Sequence, residues 1–314
     1  MRSIFISICL FILFSCCNDG SRGKVDIGGA TLSNKMIRID RIGEIKIKIK
    51  ETKDKFISDI RNKRARIWKG MLIIIDKVQP KLFFIDIKTG EIVRVLGERG
   101  TGPGEFYIID AFEIDQETGR LYIYDQVSRR ISCIDSSGRF LYSFGFPPNL
   151  IPSIQDIKLR DGKLYVGVVE SKYANLSEKW KSRIIGVLDL RGNLLDLFGV
   201  HDEISKTFTY GAGLIEFDYD RFGNWYSVDW KTYRIYKYDK SYKLIKTFGV
   251  QGKFRLPRED IPWNLPFTEI SRRLTRSSAT GSIIVFGDYI YYQFYDLTDR
   301  TVKTRRALDS ESII

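Results

Sequence analysis

The feature that most constrains this chain is an internal repeat. Three segments align without gaps: "GMLIIIDKVQPKLFFID" (Gly70 to Asp86), "GRLYIYDQVSRRISCID" (Gly119 to Asp135) and "GNWYSVDWKTYRIYKYD" (Gly223 to Asp239). In each, a glycine is followed six residues later by one aspartate and ten residues after that by another. The pairs are Asp76 and Asp86, Asp125 and Asp135, and Asp229 and Asp239. A fourth copy, "GKLYVGVVE" from Gly162, takes an insertion through Trp180, rejoins at "RIIGVLD" and ends on Asp189. A looser fifth runs from Gly287 to Asp309. Four copies close at Gly97, Gly145, Gly199 and Gly249, which lie 48, 54 and 50 residues apart. A period of this size marks one supersecondary unit that buries its apolar surface against copies of itself.

Within a period the pattern is short strands divided by turns. "RLYIYD" and "RRISCID" are β-rich runs that stop on a turn-forming aspartate. "SSG" is a tight turn in which Gly138 supplies positive φ, and "RFLYSFG" is the outer strand. An inner strand such as "YIIDAFEID" (Tyr107 to Asp115) precedes the unit. Four strands in about 50 residues is the arithmetic of a β-propeller blade. The fold class is therefore all-β, a propeller of four-stranded antiparallel blades, and 17 tyrosines and 20 phenylalanines against 3 methionines agree with it. An aspartate at one place in every unit is read as a turn residue whose side chain caps local amides. Catalytic carboxylates usually break a repeat. Asp76, Asp125 and Asp229, with Gly97, Gly138, Gly145, Gly199 and Gly249, are thus expected to be structural turn positions.

The glycine-rich "GERGTGPGEF" (Gly97 to Phe106) raises the alternative of a phosphate loop. Such a loop must lead from a strand into a helix whose first amides hold the anion. Here a strand-like run follows, and the glycine spacing fits neither dinucleotide nor P-loop patterns. The stretch is a connector between an outer strand and the next inner strand.

That connector, followed by "YIIDAFEIDQETGRLYIYDQVSRRISCIDSSGRFLYSFG", resembles an NHL-type blade. It is still more similar to the six-bladed propeller lipoproteins of Gram-negative bacteria, in which a G-x-G-P-G-E-[FY] connector precedes such a blade. The resemblance covers about Lys35 to the C-terminus and implies an exported, membrane-tethered propeller with no activity fixed by the fold. Blades are expected at 57–97, 107–145, 153–199, 211–249 and 277–309, the last without its outer strand. Either a ring of five blades closes or the chain is a shortened member of a six-bladed family, and the shortened member is the favoured reading. The alternating "EIKIKIK" (Glu44 to Lys50) is the candidate closing strand. An incomplete last blade exposes unpaired backbone and predicts self-association.

The N-terminus has the form of an export signal: Met1-Arg2-Ser3, then the apolar run Ile4 to Phe14. The run is shorter than the roughly 20 residues of a spanning helix. Leu13-Phe14-Ser15-Cys16 resembles a bacterial lipobox, with Phe14 larger than the usual residue, and makes Cys16 the site of lipid attachment. A plain cleaved signal or an uncleaved anchor are the other readings. The expected organisation is a signal over 1–15, a tether over 16–35 and the propeller over 36–314. Cys17 and Cys133 suggest no disulfide framework, and Cys133 reads as a core residue. The net charge of +12 is spread without a basic block, so nucleic acid is not expected as a partner.

One histidine, His201, excludes sites built from several imidazoles, including the zinc site of the NHL-type lyase that cleaves hydroxyglycine peptides. It reads as a loop residue, and no cofactor is expected. Two segments depart from the repeat: the insertion "ESKYANLSEKWKS" (Glu170 to Ser182) with Trp180, and the link from Gly252 to Arg276 with Trp263, Arg272, Arg273 and Arg276. Aromatic anchors beside basic residues suit a partner-binding rim. They equally suit loops folded over a blade edge. The resulting expectation is a cell-envelope lipoprotein acting as a non-enzymatic binding or scaffold module for a protein, peptide or glycan. The alternatives are a propeller hydrolase, lactonase or lyase with a metal in the central channel, and a non-functional remnant of a longer gene.

Overall fold

Four successive copies of the repeat fold into four-stranded antiparallel sheets whose strand order follows the chain. Blade one comprises Arg66–Trp68, Met71–Asp76, Lys81–Asp86 and Ile92–Leu96. Blade two comprises Ile109–Ile114, Leu121–Asp125, Arg130–Ile134 and Phe140–Gly145. Blade three comprises Leu150–Arg160, Lys163–Glu170, Ile185–Asp189 and Leu194–Phe198. Blade four comprises Ile215–Tyr219, Trp225–Asp229, Arg234–Tyr238 and Leu244–Gly249. A fifth sheet pairs Ala279–Phe286 with Tyr289–Tyr295. The computed structural model describes residues 4–14, 26–27, 30–31, 38–59, 65–76, 78–175, 178–202, 205, 215–229, 232, 234–249, 265–266, 268–269, 279–286 and 289–295.

Local chemistry explains the strand limits. In blades one, two and four the second strand ends on its aspartate, while blade three's runs on to Glu170; the third strand ends on or one residue before the next aspartate, where a turn takes over. Each blade also breaks register at the same place, between Phe84 and Ile85, Cys133 and Ile134, Val187 and Leu188, and Lys237 and Tyr238. A bulge there increases local twist as the outer strand begins.

Burial distinguishes the strands within a blade. In blade two every residue of Leu121–Asp125 is buried, whereas Phe140–Gly145 is only partly covered or exposed. Blade one packs between the Ile47–Ile49 stretch and blade two, and blade four between blade three and the two-stranded sheet, so their middle strands carry apolar residues on both faces. Simple alternation returns only toward the rim.

The chain forms two compact units, Met1–Gly145 and Phe146–Ile314. In the first, Trp68, Ile73, Ile75 and Phe84 of blade one pack with Phe112, Ile114, Leu121 and Ile123 of blade two. In the second, Tyr165, Ile185 and Val187 of blade three pack with Phe217, Trp225 and Tyr238 of blade four. Blade four then shares Tyr226, Val228 and Ile235 with Ile283 of the two-stranded sheet. Each buried aliphatic or aromatic side chain contributes about 1.5–3 kcal/mol, so these faces hold successive blades together.

The "EIKIKIK" stretch seats on blade one. Ile47 and Ile49 are buried against Leu72, Ile74, Phe83 and Ile85, while Lys48 and Lys50 face solvent. The Lys50 amide donates to the Gly90 carbonyl at 2.9 Å, and its ammonium meets Glu91 at 3.2 Å. The strand that contains this stretch, Arg38–Ile49, pairs antiparallel with Ile4–Phe14.

Candidate functional site

The repeated aspartates sit where each blade receives the incoming chain. Asp125 is fully buried and accepts hydrogen bonds from the amides of Tyr107 and Ile108, both at 3.1 Å, just before the inner strand. It also accepts from its own turn, through the Val127 amide at 3.1 Å and the Ser128 hydroxyl at 2.7 Å. Asp76 does the same with the amides of Ser58, Val78 and Gln79 at 2.6, 2.8 and 3.0 Å. A carboxylate has about four acceptor positions, so one residue secures both the turn and the entry to the blade. Blade three has Val168 at this position; there Ser182 Oγ accepts from the Glu170 amide at 2.8 Å, and Glu170 accepts from the Arg183 amide at 2.9 Å.

The second aspartate of each copy caps the hairpin before the outer strand. Asp135 accepts from the Ser137 hydroxyl at 2.6 Å and from the amides of Ser137 and Arg139 at 3.0 Å. The Ser137 hydroxyl, followed by the Arg139 amide, pulls its pKa down to about 2. Gly138 follows with φ 97°, and Gly97 and Gly199 also take positive φ just beyond their outer strands. Gly145 and Gly249 differ from the turn expectation, because each is the last residue of an outer strand and continues its pairing, with Arg130 and Arg234 respectively.

The glycine-rich connector is organised around a cation. The Arg130 guanidinium donates to the carbonyls of Thr101, Gly102 and Glu105 at 2.9, 3.1 and 2.9 Å. Glu105 folds back to accept from the Gly102 amide at 2.8 Å, and a Cβ on Gly100 would collide with that carboxylate. A phosphate cradle aims amides inward at an anion. This loop aims carbonyls at an arginine, so its polarity is opposite.

Blade four carries a buried polar cluster. Oδ2 of Asp229 accepts from the Asp202 amide at 2.7 Å and the Ser205 hydroxyl at 3.0 Å, and lies 3.3 Å from Nδ1 of His201. Asp202 in turn accepts from the Tyr236 hydroxyl at 3.0 Å and lies 3.4 Å from Nη1 of Arg234. Burial, with the Asp202 charge behind it, pushes the Tyr236 phenol well up from its ordinary pKa. His201 is thus a buried connector residue, its side chain wholly covered, and Nε2 has no hydrogen-bond partner among the described residues. The Ser205 hydroxyl goes to the carboxylate and not to the imidazole. In an acyl-transfer triad the imidazole bridges the other two groups, so this cluster is not one.

Ion pairs link the first strands of neighbouring blades. Arg66 meets both oxygens of Glu113 at 3.0 and 3.1 Å, joining blades one and two. Lys158 meets Asp156 at 3.1 Å and Asp218 at 3.3 Å, joining blades three and four. Asp218 also accepts the Val285 amide at 2.8 Å. Among the described residues no three His, Cys, Asp or Glu side chains converge as a metal-binding group.

The blade-three insertion forms two short 3-10 turns, Ser171–Tyr173 and Lys179–Lys181, and places Trp180 half-buried on the second. Lys172 lies 4.9 Å over the Tyr173 ring and Lys181 5.8 Å from the Trp180 ring. Trp263, Arg272, Arg273 and Arg276, and likewise Cys16, lie outside the described residues. The entry contacts of Asp76 and Asp125 escaped the sequence reading, although the segment just ahead of each inner strand was their visible address.

A family model described as 6-bladed beta-propeller (DUF5128) matches residues 47–253, and the chain belongs to that family. A Bacteroides fragilis NCTC 9343 protein predicted to be exported is similar in structure, with TM-score 0.56 and 17% identity over 82% of this chain and 76% of that one. A Bacteroides vulgatus ATCC 8482 member of the duf4221 family is also similar, with TM-score 0.52 and 12% identity over 76% of this chain and 75% of that one. At such identities the likeness concerns the fold. No curated protein matches the sequence.

Proposed function

We propose that this chain is an exported lipoprotein of the cell envelope whose NHL-like propeller is a non-enzymatic binding or scaffold module for a protein, peptide or glycan. One observation carries this reading. The repeated carboxylates are committed to backbone amides, while the insertion of blade three sets aromatic and basic side chains on two short turns that break the repeat. The similarity to a Bacteroides fragilis protein predicted to be exported supports the location. Attachment follows from acylation of Cys16 after cleavage before it. Ile4–Phe14 then leaves Arg38–Ile49, whose Ile47 and Ile49 remain seated on blade one.

Two measurements test this. Cys16→Ala should move the protein from the membrane fraction to the soluble fraction, since stable anchoring needs the multiple acyl chains of a lipoprotein. Retention of the Ala variant on the membrane refutes the anchor. Purified mature protein should hold no stoichiometric metal and hydrolyse no lactone or glycoside panel. A tightly held metal accompanied by turnover replaces the binding module with an enzyme.

A further inference from the structure

The two ends of blades one and two are finished differently. The hairpin turns at one end expose polar residues such as Lys88, Thr89, Glu117 and Ser137 and, among the described residues, no large apolar side chain. The opposite end, where each blade receives the incoming chain, exposes Phe56, Val78, Tyr107, Ile108 and Val127, each 38 to 59% open to solvent. Single exposed apolar residues are ordinary on a protein surface, but a group of them marks a contact.

Hydrogen bonds place these five together. The Phe56 carbonyl accepts from the Gln79 side chain at 3.2 Å, beside Val78. The Val78 carbonyl accepts from Nη2 of Arg99 at 3.1 Å, and Arg99 lies opposite Phe106, the residue before Tyr107, in a parallel pair. The Ile108 carbonyl accepts from the Gln126 amide at 3.0 Å, beside Val127. Asp76 and Asp125 fix the backbone of these turns and connectors. Presenting the side chains to a partner therefore costs little further ordering.

The surrounding charges favour an anionic partner. Lys53 and Lys55 flank Phe56, and Arg99 and Arg129 are exposed among the apolar residues, against Asp54 and Glu98. The carboxylates of Asp76 and Asp125 are buried and committed to amides. A peptide partner is usually held along a free strand edge or in an apolar groove, whereas these side chains stand on turns and connectors. Bulky apolar side chains among lysine and arginine are what interfacial segments present to a bilayer. Anionic lipid attracts each cation that comes near it.

We infer that this end of blades one and two rests on an anionic lipid surface. Its apolar side chains enter the headgroup layer, and Arg99 and Arg129 meet lipid phosphates. The inference rests on the Cys16 anchor proposed above, which brings the propeller to the bilayer, and it adds the face that turns toward the lipid.

The test uses the purified Cys16→Ala protein, which carries no acyl chain, with vesicles of phosphatidylglycerol and phosphatidylcholine or of phosphatidylcholine alone. Sedimentation should show binding to the phosphatidylglycerol vesicles at about millimolar lipid, and binding about fivefold weaker or less to phosphatidylcholine. That is weaker than a single acyl chain provides, so the Cys16→Ala protein still leaves the membrane on washing. Phe56→Ser combined with Val127→Ser should weaken vesicle binding about tenfold or more, and Arg99→Gln about threefold or more. Val93→Ser, at a similarly exposed apolar residue on the outer strand of blade one, should leave it within about twofold. Unchanged melting temperatures separate lost contacts from lost folding. No binding to phosphatidylglycerol vesicles, or binding indifferent to the Phe56 and Val127 changes, overturns the inference and leaves the anchor standing. A dimer in solution that the same double variant dissociates also overturns it and assigns the face to a second copy of this chain. The anchor itself falls only on membrane retention of the Cys16→Ala protein.

Discussion

Blades two and four are built on the same repeat and are held by different means. In blade two the connecting devices are backbone-directed: Asp125 holds the amides of Tyr107 and Ile108, and the hairpin turns on Gly138 at φ 97°. In blade four Asp229 holds one amide, one hydroxyl and an imidazole, and the hairpin turns on Tyr242 at φ 65°. Blades one, two and three all place a glycine at that hairpin position, Gly90, Gly138 and Gly192, each at positive φ. A side chain there costs on the order of 1 kcal/mol. Tyr242 offsets this by stacking on Phe198, with ring centroids 4.5 Å apart and planes within 14°, and by sharing a 2.9 Å hydrogen bond with the Tyr165 hydroxyl. Phe198 and Tyr165 both belong to blade three. Blade four has therefore converted a local turn into a staple on its neighbour. The repeat prescribes the backbone path, and individual copies change what that path is used for.

The largest test of the contrast removes the entry aspartates. Asp125→Ala leaves two connector amides, a turn amide and a hydroxyl without their acceptor, and should cost about 3 kcal/mol in a denaturant titration. Asp229→Ala should cost less, about 2 kcal/mol, because it strands fewer amides and relieves repulsion from buried Asp202. Equal losses, or a loss below 1 kcal/mol at Asp125, would erase the distinction. The hairpins come next. A Cβ at Gly138 meets Leu96 only at ordinary contact distance, 3.5 Å, so Gly138→Val should cost about 1–2 kcal/mol from backbone strain alone. Tyr242→Gly relieves strain but loses the stack and the hydrogen bond, for a net loss of about 1 kcal/mol. A stabilised Tyr242→Gly protein would show that the staple never compensates the turn.

The smallest effect concerns the hairpin caps, where the two blades should agree. Asp135 is held at about 2 by the Ser137 hydroxyl, and Asp239 is lowered in the same way by the Ser241 hydroxyl. A carboxylate whose folded pKa lies below its unfolded value of about 3.9 contributes stability above that value. The contribution fades as pH falls from about 4 toward 2. Ser137→Ala and Ser241→Ala should each raise the neighbouring aspartate toward its ordinary value in an NMR titration of the carboxyl carbons. A shift at only one site would extend the contrast between the blades to the hairpins themselves.

The sequence by itself determined the blades. The spacing of Gly119, Asp125 and Asp135 and its echoes carries local signals, since the turn glycine and the turn contacts of the two aspartates lie within four residues of them, while Asp125's hold on Tyr107 and Ile108 spans 18 and 17 residues. They placed the strands of blades two and four within a few residues of those observed. "EIKIKIK" likewise carried its buried and solvent faces in its alternation, although not its partner, blade one. Only the tertiary structure decided what the long-range groups do. Arg130 fills the glycine connector from up to 29 residues away, Asp229 reaches His201 across 28, and Tyr242 reaches Tyr165 across 77. Arg130 and Asp229 meet the connectors into their own blades, and Tyr242 meets Tyr165 because blades three and four pack face to face; a one-dimensional pattern holds no record of which side chains such contacts bring together. His201 looks like a loop residue in the sequence for that reason: its burial is a property of blade four, not of its neighbours along the chain.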